Sequence, residues 1–111
     1  MTPSFANRIT RVITESGTSR TLAIGDTRTI LRCTSGSATS ITVPPSSSVL
    51  FSIGDTIVIR QAGAGQVTLV EGEGVTINTS STLKTLGQHA SVAITKVAAD
   101  EWDMTGERES A

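Results

Sequence analysis

Large aromatic side chains are nearly missing from this sequence, which has no tyrosine, two phenylalanines and one tryptophan among 111 residues. A core built from such a chain must therefore consist mainly of small aliphatic side chains. Aromatic rings supply the large, specific contact surfaces of many binding proteins. Their scarcity argues against a carbohydrate-binding module, which we keep only as the weakest of the functional alternatives.

Cysteine and histidine are equally scarce. Cys33 is the only cysteine and His89 the only histidine, which excludes an intrachain disulfide and a cysteine metal framework. Cys33 lies in the strand-like run RTILRC and is expected to be a small buried hydrophobe, and His89 is expected in a polar loop or at an edge. No ordered acid–base pair accompanies them. We therefore predict a protein that is not an enzyme, with no catalytic residue, cofactor or metal site.

Neither sign of charge dominates. Nine Lys or Arg and ten Asp or Glu give a net charge of −1, and the basic residues form no cluster, so nucleic acid is not an expected partner. No apolar run reaches the roughly 18 residues of a membrane-spanning helix, so no membrane association is expected. The N-terminus lacks the apolar stretch of a secretory signal. If the chain is complete, it is expected to be made and first used in a cytoplasm.

Two local patterns could carry chemistry but have simpler explanations. Asp100, Glu101 and Asp103 could bind a cation or hydrolyse a glycoside, but they flank a predicted tight turn, where such residues are common. The AGAGQ run at 62–66 contains GxG without the third glycine and the following helix of a dinucleotide site. We interpret its glycines as a hairpin turn that needs positive φ.

Serine, threonine and aliphatic residues dominate instead. Ser and Thr contribute 32 residues, and Leu, Ile, Val and Phe another 27, a composition that favours strands. Short alternating runs between turn residues predict an all-β fold, a small antiparallel β-sandwich or barrel of about eight short strands. The predicted strands are 20–24, 28–33, 39–43, 56–60, 67–70, 75–78, 91–97 and 102–105.

The length predicts one folding unit, which we divide into an N-terminal arm at 1–19, a β-module at 20–106 and a polar tail at 107–111. A core of small aliphatic groups is thin for eight strands with exposed edges. Oligomerisation would bury both the edges and the remaining apolar surface.

One long, ordered pattern resembles a β-rich module of tailed-bacteriophage structural proteins. It runs from a strand ending in VPP (43–45), through FSIGDTIVIRQAGAG (51–65) and GVTIN (74–78), to LGQHASVAITKVAADEWDMTG (86–106). The resemblance covers about residues 20–106 and marks a fold rather than a catalytic signature. The module usually stands at the end of longer tail-fibre or receptor-binding chains, whereas here it follows only a short arm. The matching positions are Val43, Pro44, Pro45, Phe51, Gly54, Ile57, Ile59, Gln61, Gly63, Gly65, Gly74, Val75, Ile77, Asn78, Gly87, Gln88, Lys96, Trp102 and Gly106.

The resemblance implies a small virion accessory protein, most simply a capsid cement or decoration protein or a head fibre. It implies a homotrimer on the outer capsid surface, so the expected partners are other copies of the chain and the major capsid protein or another virion protein. The expected location is the capsid surface of the virion, after synthesis in the host bacterial cytoplasm. A tail-fibre or tail-tip subunit that binds a host receptor is the alternative.

Two sets of residues are candidates for contacts. The arm interleaves apolar residues with arginines, which suits a segment that orders on a partner; packing on its own trimer and a linker role are the alternatives. The candidate partner-binding residues are Phe5, Arg8, Ile9, Arg11, Val12 and Ile13. Trp102 alternates in phase with Met104 on the last predicted strand and is the candidate core or interface anchor.

Overall fold

The computed structural model describes residues 11–110. Strands make up 49% of the described residues, which contain no α-helix and only one short 3-10 turn, at Ile24–Asp26. The prediction of an all-β protein is therefore confirmed. The strands are β1 (Arg11–Glu15), β2 (Ser19–Thr21), β3 (Thr29–Cys33), β4 (Thr39–Val43), β5 (Thr56–Gln61), β6 (Val67–Glu71), β7 (Thr76–Asn78), β8 (Ser91–Ala98) and β9 (Glu101–Gly106).

From β1 to β7, successive strands alternate between two sheets, and β8 and β9 both belong to the larger one. The larger sheet has six strands in the order β1-β3-β5-β8-β9-β7, and the smaller has three in the order β2-β4-β6. β1, β3 and β5 are parallel to one another, as are β2, β4 and β6. The chain thus winds through three coils of a short β-solenoid, each coil giving one strand to each sheet.

The predicted antiparallel sandwich or barrel is therefore wrong in its strand pairing. Among the named strands, antiparallel pairing occurs only between β5 and β8 and between β8 and β9. Apolar and polar residues alternate in the same way whether a strand turns back in a hairpin or continues into the next coil. Parallel neighbours require a crossover connection, and here a strand of the opposite sheet supplies it.

The second and third coils have the same length in both sheets. Ile30 pairs with Val58 and Thr39 with Val67, so each partner lies 28 positions further along the chain. The turn before the larger sheet also repeats in sequence, as IGDT at 24–27 and again at 53–56. This equal spacing stacks the inward-facing residues of one coil on those of the next.

Two glycines let the third coil lie close against the second. A Cβ atom at Gly65 would overlap the backbone of Ser37, and one at Gly63 would overlap the carbonyl of Ser35. Neither glycine has a positive φ. The hairpin interpretation of AGAGQ is therefore wrong, since these glycines serve close backbone approach between coils.

Apolar side chains from both sheets fill the space between them. Phe51, from the β4–β5 loop, meets Trp102 of β9 edge to face, with ring centroids 5.3 Å apart. Trp102 is only 1% exposed. Burying one apolar side chain of the size of valine, leucine or phenylalanine contributes about 1.5–3 kcal/mol to stability, and many such side chains are buried in this core. The core also contains Leu22, Leu31, Cys33, Ile41, Val43, Ile57, Ile59, Val67, Leu69, Val75, Ile77, Val92, Ile94 and Met104.

The C-terminal part of the chain covers the third coil. In the larger sheet the β8–β9 hairpin lies between β5 and β7. In the smaller sheet the Leu69 N–H donates to the Leu83 carbonyl (2.8 Å) and the Thr85 N–H to the Val67 carbonyl (3.0 Å). This end of the solenoid therefore has its backbone groups paired.

Both predicted domain boundaries fall inside the fold. Residues 11–15 of the predicted arm form β1 and pair with β3. In the predicted tail, the Glu109 N–H donates to the Lys84 carbonyl (2.9 Å). The folded unit accordingly extends from Arg11 to at least Glu109, because short runs at both ends find partners that are distant in sequence.

Candidate interaction surfaces

The most extensive candidate surface is the outer face of the larger sheet, formed by the side chains that point away from the core. Strand register places Val12, Ile30, Val58 and Ala93 side by side across four adjacent strands. Val12 is 56% exposed, and the other three are half-buried. We call these four residues the apolar row.

Charged side chains stand at opposite ends of this outer face. Arg32 on β3 lies beside Arg60 on β5, and Glu101 and Asp103 lie together on β9. Within residues 11–110 neither arginine forms a salt bridge. We call the arginine pair the basic end and the carboxylate pair the acidic end.

The two carboxylates of the acidic end share one hydrogen-bond donor. The Asn78 side-chain amide donates to Glu101 (2.8 Å) and to Asp103 (2.9 Å). Asp100, the third carboxylate of the run, turns the other way and accepts from the Ser46 N–H (2.6 Å). That bond lowers the pKa of Asp100. The three carboxylates of the predicted acidic run therefore belong to two separate hydrogen-bonded groups, one around Asn78 and one at Ser46.

The loop between β4 and β5 is held by a buried lysine. Lys96 is 3% exposed, and its ammonium donates to the Phe51 carbonyl (2.8 Å) and to the Ser46 hydroxyl (3.1 Å). Within the described chain, no group of three or more His, Cys, Asp or Glu side chains could hold a metal ion. The hydrogen bonds of the Lys96 ammonium therefore hold the β4–β5 loop in place.

The interior of the first coil is partly polar. Arg20 faces inward from β2, donating to Glu15 (3.0 Å) and, through two nitrogens, to Asp26 (3.2 and 2.6 Å). The hydrogen bond to Asp26 raises the pKa of Arg20. The Gly17 N–H, and then Arg20, lower the pKa of Glu15. These three side chains form an ion triad at the end of the solenoid opposite the hairpin.

A second apolar surface lies where the chain passes from the smaller sheet to the larger. Ile24 and Ile53 begin the two IGDT turns and are 57% and 70% exposed, and Leu50 is 73% exposed. The same sequence thus presents an isoleucine to solvent on two successive coils.

A shallow cleft of about 340 Å³ lies beside the acidic end. Arg108 crosses it, donating to the Thr79 hydroxyl (3.1 Å) and to the Met104 carbonyl (3.2 Å). Hydroxyl and amide groups supply most of its remaining polar lining. The lining residues are Asn78, Thr79, Ser80, Asp103, Met104, Thr105 and Arg108.

Cys33 and His89 lie on different sides of the backbone of Gln61. Cys33 is buried beside Gln61 in the ladder, whereas His89 is exposed and its N–H donates to the Gln61 carbonyl (2.5 Å). Burial raises the pKa of the Cys33 thiol to about 11, so it stays protonated near neutral pH and is a weak nucleophile. The structure gives Cys33 the surroundings of a core residue.

The predicted contact residues are not gathered on one surface. Val12 belongs to the apolar row, Ile13 packs against the core, and Arg11 reaches the Gly25 carbonyl. Trp102 is wholly inside the core. Phe5, Arg8 and Ile9 lie outside the described residues. The basic end was missed in the sequence, where only the repeated IGDT turn could have indicated that Arg32 and Arg60 are neighbours, and the carboxylates of the acidic end were attributed to a tight turn.

The chain matches no known protein family, no curated protein and no solved structure. Within residues 11–110, no helix is long and apolar enough to cross a membrane.

Proposed function

We propose that this protein is a non-enzymatic structural component of a tailed-bacteriophage virion, a capsid cement or decoration protein. In this proposal it binds the outer capsid surface as a homotrimer and reinforces it. Support comes from the long ordered sequence pattern over residues 20–106, which resembles a phage structural module. The major capsid protein or another virion protein would be its partner on the capsid surface.

The observation that carries the proposal is the broad outer face of the larger sheet. It combines the apolar row with a basic and an acidic end, and the strands that carry it are backed by a core and by paired neighbours. A rigid face of this kind suits repeated contact with other proteins, because little conformational entropy is lost when it binds.

Reinforcement would arise from many modest contacts made together. A trimer attached at three points dissociates far more slowly than one copy, since a released contact re-forms at a high effective concentration. The second apolar surface, formed by Ile24, Leu50 and Ile53, supplies further exposed side chains for such contacts. The segment 1–10, which contains Phe5, Arg8 and Ile9, would supply a further attachment through its apolar and basic side chains.

A tail-fibre or tail-tip subunit that binds a host receptor is the second candidate. The cleft beside the acidic end favours it, because the hydroxyl and amide groups that line it could hydrogen-bond a host glycan. The cleft has no aromatic platform among its lining residues, which makes this the weaker of the two proposals.

Binding to purified capsids tests the proposal directly. The protein is added to capsids stripped of accessory proteins, and bound protein is measured after sedimentation of the capsids. Saturable binding to the capsid surface, with raised resistance of the capsids to heat or chelators, is expected. Density at the tail in a virion map, with no binding to capsids, would refute the cement function and support the tail alternative.

A further inference from the structure

We propose that copies of this chain contact one another through the outer face of the larger sheet, the basic end of one copy lying against the acidic end of the next. The occupant of this face is therefore a second copy of the same chain. Only the number of copies, three, rests on the proposed function; the surface itself is argued from the strand register.

The apolar row has the composition of the centre of a protein interface. The row crosses four of the six strands without a charged residue, and Val12 at its margin is 56% exposed. Protein interfaces typically have a centre depleted of charge, surrounded by a polar and charged rim. The outer face has this arrangement, since hydroxyl and charged side chains flank the apolar row on both sides.

Each charged end of the outer face is electrostatically unfavourable when it has no partner of opposite charge. Arg32 and Arg60 are direct neighbours in the ladder, and like charges in such positions repel each other. No salt bridge within residues 11–110 relieves either arginine. Glu101 and Asp103 also lie on one strand and share the single amide of Asn78. Contact between the basic end and an acidic end would relieve both repulsions at once.

The positions of the two ends allow two kinds of contact between copies. Two copies packed face to face across a two-fold axis would pair both ends at once, whereas a copy that gives its basic end to one neighbour and its acidic end to another joins unlike surfaces, and such contacts form rings when the rotation closes. Three copies closing a ring would give the trimer of the proposed function. Nucleic acid is a poor occupant, because the face carries both signs of charge and the chain has a net charge of −1.

Paired charge reversals test the contact. R32E/R60E makes both ends of the face acidic, and E101R/D103R makes both ends basic. Each variant is expected to sediment near the 11.5 kDa of one chain rather than about three times that mass. The fourfold variant R32E/R60E/E101R/D103R exchanges the two ends and should regain the assembly. K84E, an exposed reversal away from this sheet, is the control that keeps the wild-type mass.

Circular dichroism and melting temperature verify that each variant is folded, as expected for solvent-facing positions. V58D gives an independent measurement, because a charge in the apolar row should also separate the copies while leaving the core untouched. The proposal is overturned if both paired reversals keep the wild-type mass, if the fourfold variant stays dissociated while folded, or if the wild-type protein is monomeric at every concentration.

Mixing the two paired variants separates the surface from the proposed function. Their faces are complementary, but a ring of three cannot alternate them, so a closed trimer should not re-form in the mixture. A discrete complex of one copy of each variant would support the surface, and the mass of the wild-type assembly decides whether three copies close a ring. Capsid binding is measured separately on the assembled protein. Assembly through this face without capsid binding would refute the cement function alone.

Discussion

Replacing Gly65 with alanine tests whether the coils are stacked as closely as the structure indicates. The added Cβ would overlap the backbone of Ser37 in the preceding coil, where no flexible side chain can move aside. Overpacking of this kind costs about 1–3 kcal/mol. The Gly65 N–H also donates to the Ser35 carbonyl (3.0 Å), and forcing the coils apart would weaken this bond, worth roughly 0.5–1.5 kcal/mol.

Gly36→Ala is the matched control on the adjacent coil. A Cβ atom at Gly36 would meet nothing within 4 Å, and the residue has no positive φ. This substitution should be neutral or stabilise the protein by about 0.4–1 kcal/mol through the unfolded chain. Urea denaturation of both variants measures the difference. At about 2 kcal/mol of destabilisation, Gly65→Ala should lower the melting temperature by roughly 8–16 °C. Equal stability of the two variants would refute the close stacking of coils.

Three further predictions concern other parts of the chain. Trp102→Ala should destabilise the fold by about 3–5 kcal/mol, as other large core truncations do; an unchanged melting temperature would contradict its place in the core. The pKa of Glu15 is below its ordinary value of 4.5 because of the Gly17 N–H and Arg20, so its stabilising contribution is present above that pH and is lost as the pH falls through the lowered pKa. Glu15→Gln should therefore make the unfolding free energy, followed in urea, fall less steeply below pH 4.5. Removing residues 2–10 should preserve the melting temperature but weaken rebinding to stripped capsids, and unchanged rebinding would exclude this segment as an attachment.

The sequence predicts the strands far better than it predicts their partners. In β5 the alternation of buried Ile57 and Ile59 with outward residues could be read directly. Whether the next strand returned beside it or crossed to the other sheet depends on contacts 28 residues away. Gly63 and Gly65 were misinterpreted for the same reason, because the backbone that they approach belongs to the previous coil.

β1 was assigned to an arm because its spacing of apolar residues fits a short helical turn as well as an irregular strand, and because it lies outside the phage-like pattern. Arg20 and Glu15 resemble solvent-facing residues until Asp26 is seen to complete their hydrogen bonds inside the coil. A chain beginning at Gly17 would lose β1 and one member of the triad, so a truncation meant to remove only an arm should end before Arg11. The outer face of the larger sheet was not predicted either, because only the strand register brings Arg32 beside Arg60 and places both opposite the acidic end.

The ion triad also limits how far the solenoid can grow. β1 and β2 are the outermost described strands of their sheets at this end, and parallel edges of this kind are templates on which another chain could continue the winding. Glu15, Arg20 and Asp26 lie inside the first coil, next to the space that an added coil would have to fill with apolar side chains. A further coil would bury these charges beneath itself, and inward-pointing charges are one way in which natural sheets prevent edge-to-edge aggregation. Continued winding from the edge formed by β1 and β2 is therefore disfavoured, and the proposed contact between copies would lie on the outer face of the larger sheet rather than in an end-to-end fibre.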